Sequence, residues 1–205
     1  MKIVLTRFAA SCGLAFVGLL VTPFAHAGGP APCASVANNL VTPHNCDFAS
    51  GTGSWTLVDA GSLSHAAGDG SPAAGSAEVA STAFVGGVQS PCIAVPAASQ
   101  SAMTTVAVSV KPIGFTPDTG CGMSISQYDG ADCTGTESTA GAVGGGGVAD
   151  TWSDFSGSVT LNADVVSLTV QAGCNDTSES FTVRVDNVVL APATVPVELQ
   201  AFDVE

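Results

Sequence analysis

The chain has 205 residues, and its 17 acidic side chains outnumber four basic ones, for a formal net charge of −13. A surface of that sign repels nucleic acid and anionic lipid, which removes both from the list of partners. Only 10% of the residues are charged and Gly alone contributes 24, a composition that suits a β-rich globular domain better than an acidic disordered tail.

The first segment, MKIVLTRFAASCGLAFVGLLVTPFAHA, places Lys2 and Arg7 before an apolar run that ends at the small-residue site Ala25-His26-Ala27. That is the layout of a secretory signal peptide cleaved after Ala27. The run approaches the roughly 18 residues that span a bilayer, but Pro23 and the A-H-A site end it where a peptidase acts, so membrane insertion is not expected after cleavage. Cys12 has too little apolar chain upstream to act as a lipidated cysteine. Removing residues 1–27 leaves 178 residues, enough for one domain with a sizeable core. Lys111 and Arg184 are then the only basic side chains against all 17 acids, a net charge of −15.

Residues 28–39 contain two prolines and read as an irregular N-terminal segment. From 40 to 191, strand-like runs alternate with Gly, Asp, Pro and Ser punctuation. The predicted strands are AEVASTAF (77–84), TTVAVSVKPI (104–113), GMSISQY (122–128), VVSLTVQAG (165–173) and SFTVRVDNVVL (180–190). In the second of these Val106, Val108 and Val110 share one face, and in the last Phe181, Val183 and Val185 do. That period of two means one face buried and one wet. No stretch keeps helical periodicity over three turns, so the expected fold is all-β, a single antiparallel β-sandwich stabilised by disulfides. AGAVGGGGVAD (140–150) lacks the Lys-Ser or Lys-Thr of a phosphate loop and reads as a mobile hairpin loop. Residues 192–205 read as a C-terminal tether or an extra edge strand carrying Val195, Val197 and Leu199.

Six cysteines remain after cleavage, and an even number in an exported chain implies three disulfides. A zinc site is a poor alternative, because no C-x2-C pair exists and His44 and His65 are the only imidazoles left. Proximity along the chain favours Cys33 with Cys46 and Cys121 with Cys133, leaving Cys92 with Cys174.

Catalytic machinery is hard to assemble. There is no G-x-S-x-G elbow and no H-E-x-x-H. Carboxylate pairs for glycoside cleavage would come from acids such as Asp47, Asp59, Asp69, Glu78 and Asp129, of which Asp69 and Asp129 stand beside Gly, where turn and solvation roles explain them.

NNLVTPHNCDFASGTGSWT (38–56) resembles the first strand of the carbohydrate-binding modules attached to bacterial cellulases and xylanases, where a phenylalanine is followed by a glycine-rich turn and a tryptophan. FTVRVDNVVL (181–190) looks like the closing strand of the same modules, with its Asp-Asn pair inside a β-branched run. Between these ends the similarity is one of layout, over about residues 40–190. The resemblance implies a galactose-binding-like jelly roll, a non-catalytic exported protein that binds a polysaccharide or other glycan, and location outside the cytoplasm: secreted, periplasmic or on the surface of a bacterium. It also implies a structural calcium ion. Asp186 matches the acid of the closing strand, the expected first-strand glutamate is replaced by Ala49, and Asp47 is the substitute carboxylate.

Glycan contact in such modules rests on aromatic faces, and the candidates are Trp55, Trp152 and Tyr128. Core packing outweighs ligand contact for the two tryptophans, since a lone aromatic in a strand-rich domain is normally buried. Tyr128, in the hairpin between Cys121 and Cys133, has the stronger claim to exposure. The glycan-binding protein is expected to be a monomer; the competing reading is a structural or adhesive cell-surface or secreted sandwich without sugar affinity, since fold does not dictate function.

Overall fold

A computed structural model describes residues 31–178 and 180–193. Residues 1–27, expected to be a signal peptide, and residues 194–205 of the 192–205 segment expected to form a tether or edge strand lie outside that range. Among the described residues no helix is long and apolar enough to cross a membrane.

Among the described residues eleven strands build two antiparallel sheets: β1 (Thr56–Leu57), β2 (Gly61–His65), β3 (Ala77–Ser81), β4 (Val85–Gln89), β5 (Ile93–Ala94), β6 (Met103–Ile113), β7 (Gly120–Tyr128), β8 (Glu137–Gly145), β9 (Ser153–Thr160), β10 (Ser167–Asn175) and β11 (Phe181–Pro192). One sheet has the order β1-β4-β10-β7-β8, with β5 also pairing with β10; the other has the order β2-β3-β11-β6-β9. This is the all-β sandwich that the alternating pattern predicts.

The core lies between the sheets and is supplied by the predicted phases. Val106, Val108, Val110, Val183 and Val185 face Met123, Ile125, Leu168 and Val170, all buried. Each such side chain contributes about 1.5–3 kcal/mol by leaving water. Outward positions on the same strands carry Ser, Thr, Gln and charged residues, so the sequence phase sets which side of each strand meets solvent.

Strand β11 breaks its register between Asp186 and Val189. Asn187 sits there with φ of 53°, the left-handed region that Asn tolerates better than most residues. Before the bulge β11 pairs with β3; beyond it the N-terminal segment takes the place of β3. Leu40 N–H donates to the Leu190 carbonyl at 2.9 Å and Val188 N–H to the Cys46 carbonyl at 2.9 Å. Asn39 completes the join, its amide donating to the carbonyls of Cys33 and Val188 and its oxygen accepting from Leu190 N–H.

Among the described residues there are three disulfides: Cys33–Cys46, Cys92–Cys133 and Cys121–Cys174. The first agrees with the expected pairing, whereas the expected Cys121–Cys133 and Cys92–Cys174 pairs do not form. Strand extension is the reason. β7 carries Cys121 about 23 Å from Tyr128 at roughly 3.3 Å per residue, placing Cys121 and Cys133 at opposite ends of the hairpin. Cys121 instead stands directly opposite Cys174 on β10. Cys133, in the turn after β7, meets Cys92 just before β5.

The glycine-rich run is a second correction. Ala140 to Gly145 belongs to β8 rather than to a loop, pairing with β7 through a register shift between Ile125 and Ser126. Small residues suit this edge because β8 packs on β9: a side chain at Gly141 would press on Val159, and one at Gly145 on Phe155.

Candidate functional site

The outer face of the β1-β4-β10-β7-β8 sheet carries polar side chains on several neighbouring strands. Because Leu168, Val170, Ala172 and Cys174 point inward, the alternate residues of β10 and their cross-strand partners point outward. The register aligns Thr56, Gln89, Gln171, Ser124 and Ala142 in one row across five strands. At about 4.8 Å between neighbouring strands the row is roughly 19 Å long. At its centre the Gln171 side-chain amide donates from Nε2 to Oε1 of Gln89 at 2.9 Å.

Two residues along, the same register aligns Gly87, Gly173, Gly122 and Gly144. A Cβ at Gly87, Gly173 or Gly122 would run into the backbone of the adjacent strand, so no larger residue suits this row. A strip of bare backbone therefore lies beside the amide row.

On the opposite side of the amide row, Thr169, Ser126 and Thr139 form a third line, and Ser167, Tyr128 and Glu137 a fourth. Tyr128 is half-buried and Glu137 exposed. The turn after β7 closes this end of the face. Cys133 N–H donates to Ser167 Oγ at 2.9 Å, the Ser167 hydroxyl donates to the Gly130 carbonyl at 2.6 Å, and the Cys92–Cys133 bond ties the turn to β5.

The three aromatic candidates do not converge. Trp55 is 4% exposed and packs on Phe48 with ring centroids 5.2 Å apart, while its Nε1–H donates to the His44 carbonyl at 2.6 Å. It has no free face for a ligand. Trp152 precedes β9, on the other sheet from Tyr128, and donates from Nε1 to Asp69 at 3.0 Å. The sequence reading missed Gln89, Gln171 and Ser124. Their signal is the outward phase of TVQAG and SISQY, which singles out polar positions without saying that neighbouring strands align them.

Asp69 anchors the loop 66–76 on the outer face of the second sheet. It accepts hydrogen bonds from Lys111 at 2.9 Å, from Trp152 and from Arg184, and Arg184 also pairs with Glu78 at 2.6 Å. Burial pushes the Asp69 pKa up, but the bonds from Lys111, Trp152 and Arg184 outweigh it and hold the carboxyl at about 2. Both basic side chains of the domain are thus on the sheet opposite the amide row, already paired.

Asp186 is 1% exposed at the β11 bulge and accepts backbone N–H bonds from Ser71 and Asn187, each at 2.6 Å. Burial raises its pKa to about 7, beyond what those two bonds offset, with Asp47 and Asp69 adding like-charge repulsion. Around Gly70 the carbonyls of Ala73 and Gly75 close in together with Asp186 Oδ2, and the Phe48 carbonyl lies against Gly75. A buried carboxyl with a second acid nearby and converging carbonyls is an all-oxygen donor set, the kind a hard divalent cation takes. Among the described residues no group of three or more His, Cys, Asp or Glu side chains is placed to hold a metal, so an ion here would draw on backbone carbonyls.

Taken together, sandwich, strand order and N-terminal join define a jelly-roll β-sandwich. The fold is similar to that of a xylan-binding domain of family 22 from Paenibacillus barcinonensis Xyn10C, with a TM-score of 0.58 at 12% identity, covering 72% of this chain and 98% of that one. It is also similar to the C-terminal family 22 carbohydrate-binding module of Clostridium thermocellum Xyn10B, with a TM-score of 0.53 at 19% identity over 73% of this chain and 94% of that one. The enzymatically active domain of bacteriophage CBA120 tailspike protein 4 matches with a TM-score of 0.52 at 13% identity, over 76% of this chain and 22% of that chain. No protein-family model matches the sequence, and no curated protein matches it.

Proposed function

We propose that this protein is an exported, non-catalytic glycan-binding module that holds a polysaccharide such as xylan against the outer face of the β1-β4-β10-β7-β8 sheet, outside the bacterial cytoplasm. The observation that carries the reading is the fold shared with xylan-binding modules. The long polar row across that sheet, with Tyr128 at one end, supplies hydroxyl-binding groups and one ring. Two aligned glutamines and a serine offer no nucleophile-base pair, in keeping with binding rather than cleavage. Three disulfides suit an oxidising compartment.

One observation favours the second reading, an adhesive or structural sandwich without sugar affinity. Tyr128 is the lone aromatic among the strand positions of that face, and aromatic rings supply much of the contact area to sugars. A pull-down of the mature protein with insoluble polysaccharides, xylan included, together with a soluble-glycan array separates the two. Retention on at least one neutral polymer is expected, and failure across both assays leaves the adhesive reading.

A calcium ion belongs to the same proposal as a structural element. Asp186 and Asp47 would hold it with the carbonyls around Gly70, and it would neutralise the buried Asp186 carboxylate and join the loop 66–76 to the β11 bulge.

A further inference from the structure

The chemistry of the amide row points to a more specific ligand than a glycan in general. Gln171 and Gln89 stand side by side on adjacent strands, and their mutual hydrogen bond at 2.9 Å fixes the orientation of both amides. Nε2 of Gln171 gives one of its two hydrogens to Oε1 of Gln89, and the Gln171 oxygen, an acceptor, and the Gln89 NH2, a donor, take no part in that bond. A single free glutamine could turn its amide to suit any ligand. This pair presents one acceptor and one donor in set positions.

Two neighbouring hydroxyls of a sugar ring complement that arrangement, since each hydroxyl both donates and accepts. One donates to the Gln171 oxygen while the other accepts from Gln89. The glycine row beside the pair puts no side chain in the way of the ring. Ser124, opposite Gln171 on β7, extends the strip by another hydroxyl.

Charge decides against an acidic sugar. Lys111 and Arg184, the domain's only basic side chains, lie on the other sheet and are paired with Asp69 and Glu78. The charged group at the strand positions of the amide-bearing face is a carboxylate, Glu137, across from Tyr128. A uronate or sulfated polymer would meet no cation and a surface of net negative charge.

We propose that Gln89 and Gln171 form the specificity-determining pair of this face, reading a vicinal diol on a neutral polysaccharide and excluding anionic ones. This rests on the glycan-binding reading above. The test measures affinity electrophoresis and calorimetry of the mature protein with neutral xylan, glucan and mannan and with polygalacturonate. The variants are Gln171→Ala, Gln89→Ala, the near-isosteric Gln171→Glu, and Ser158→Ala on the opposite sheet as a control, each checked by thermal melting.

Binding to a neutral polymer is expected to weaken about tenfold in Gln171→Ala and Gln89→Ala, the loss of one hydrogen bond to a sugar. Gln171→Glu should lose affinity with an unchanged melting temperature, and Ser158→Ala should bind as wild type does. Polygalacturonate should not bind. Wild-type binding to a neutral polymer that both alanine variants keep, or equal binding of polygalacturonate, overturns the assignment of the pair and leaves the glycan-binding reading standing. A wild type that binds none of the polymers overturns both.

Discussion

Replacing Asp69 by Asn removes one negative charge from the centre of the loop-to-sheet junction and leaves the shape of the side chain almost unchanged. The amide oxygen can still accept from Trp152, so the substitution isolates the ionic part of the contact with Lys111 and Arg184. These side chains keep only 18% and 23% of their surface exposed, and Asp69 27%, which limits screening by water. The fall of the Asp69 pKa from 3.8 to about 2 corresponds to about 2 kcal/mol after a modest discount for the exposed part, at 1.36 kcal/mol per pH unit. Because the folded-state value lies below the unfolded one, this stabilisation is complete above about pH 4 and is lost as the pH falls through about 2. Denaturant unfolding of wild type and Asp69→Asn between pH 7 and pH 2.5 should therefore show a gap of about 2 kcal/mol at neutral pH that narrows in acid. Lys111→Met, alone and combined with Asp69→Asn, should report a positive coupling energy between the pair. A gap under about 0.5 kcal/mol at pH 7, or one that stays constant into acid, would show that Asp69 does not hold the loop through its charge.

Trp55→Ala should cost about 3–5 kcal/mol of stability, since it empties the space beside Phe48 and leaves the His44 carbonyl unpaired. Glycan affinity of the folded protein should stay unchanged, and a stable variant that has lost binding would move the site to the N-terminal segment. Peptide mapping without reduction should recover Cys92 linked to Cys133 and Cys121 to Cys174. Converting Cys92 and Cys133 together to Ser should lower stability by about 3–4 kcal/mol, measured by denaturant unfolding, and weaken glycan binding at Tyr128, because the turn beside that ring loses its tie. Calcium should raise the melting temperature of wild type and a chelator should reverse the rise, whereas Asp186→Asn should melt at one temperature in both conditions; a wild type indifferent to calcium leaves Asp186 a metal-free bulge residue.

The sequence alone determined the strands with strong alternation and the face each buries. Val106, Val108 and Val110, or Phe181, Val183 and Val185, can satisfy their apolar side chains in only one phase, and that phase needs no knowledge of neighbours. The even number of cysteines after a signal-peptide-like N-terminus likewise indicated three disulfides, and the glycine-rich turn before Trp55 placed that ring in the core. The short and small-residue strands β1, β2, β4, β5 and β8 left little trace, since Gly and Ser side chains bury too little surface to mark a phase. Which cysteines meet was decided only by tertiary structure: proximity along the chain misleads once a strand holds Cys121 and Tyr128 about 23 Å apart, and pairing register puts Cys174 opposite Cys121. The amide row arose the same way. Gln89 and Gln171 are 82 positions apart in sequence, and only the antiparallel register of β4 and β10, itself set by the buried phases of both strands, brings the two side chains together on one face.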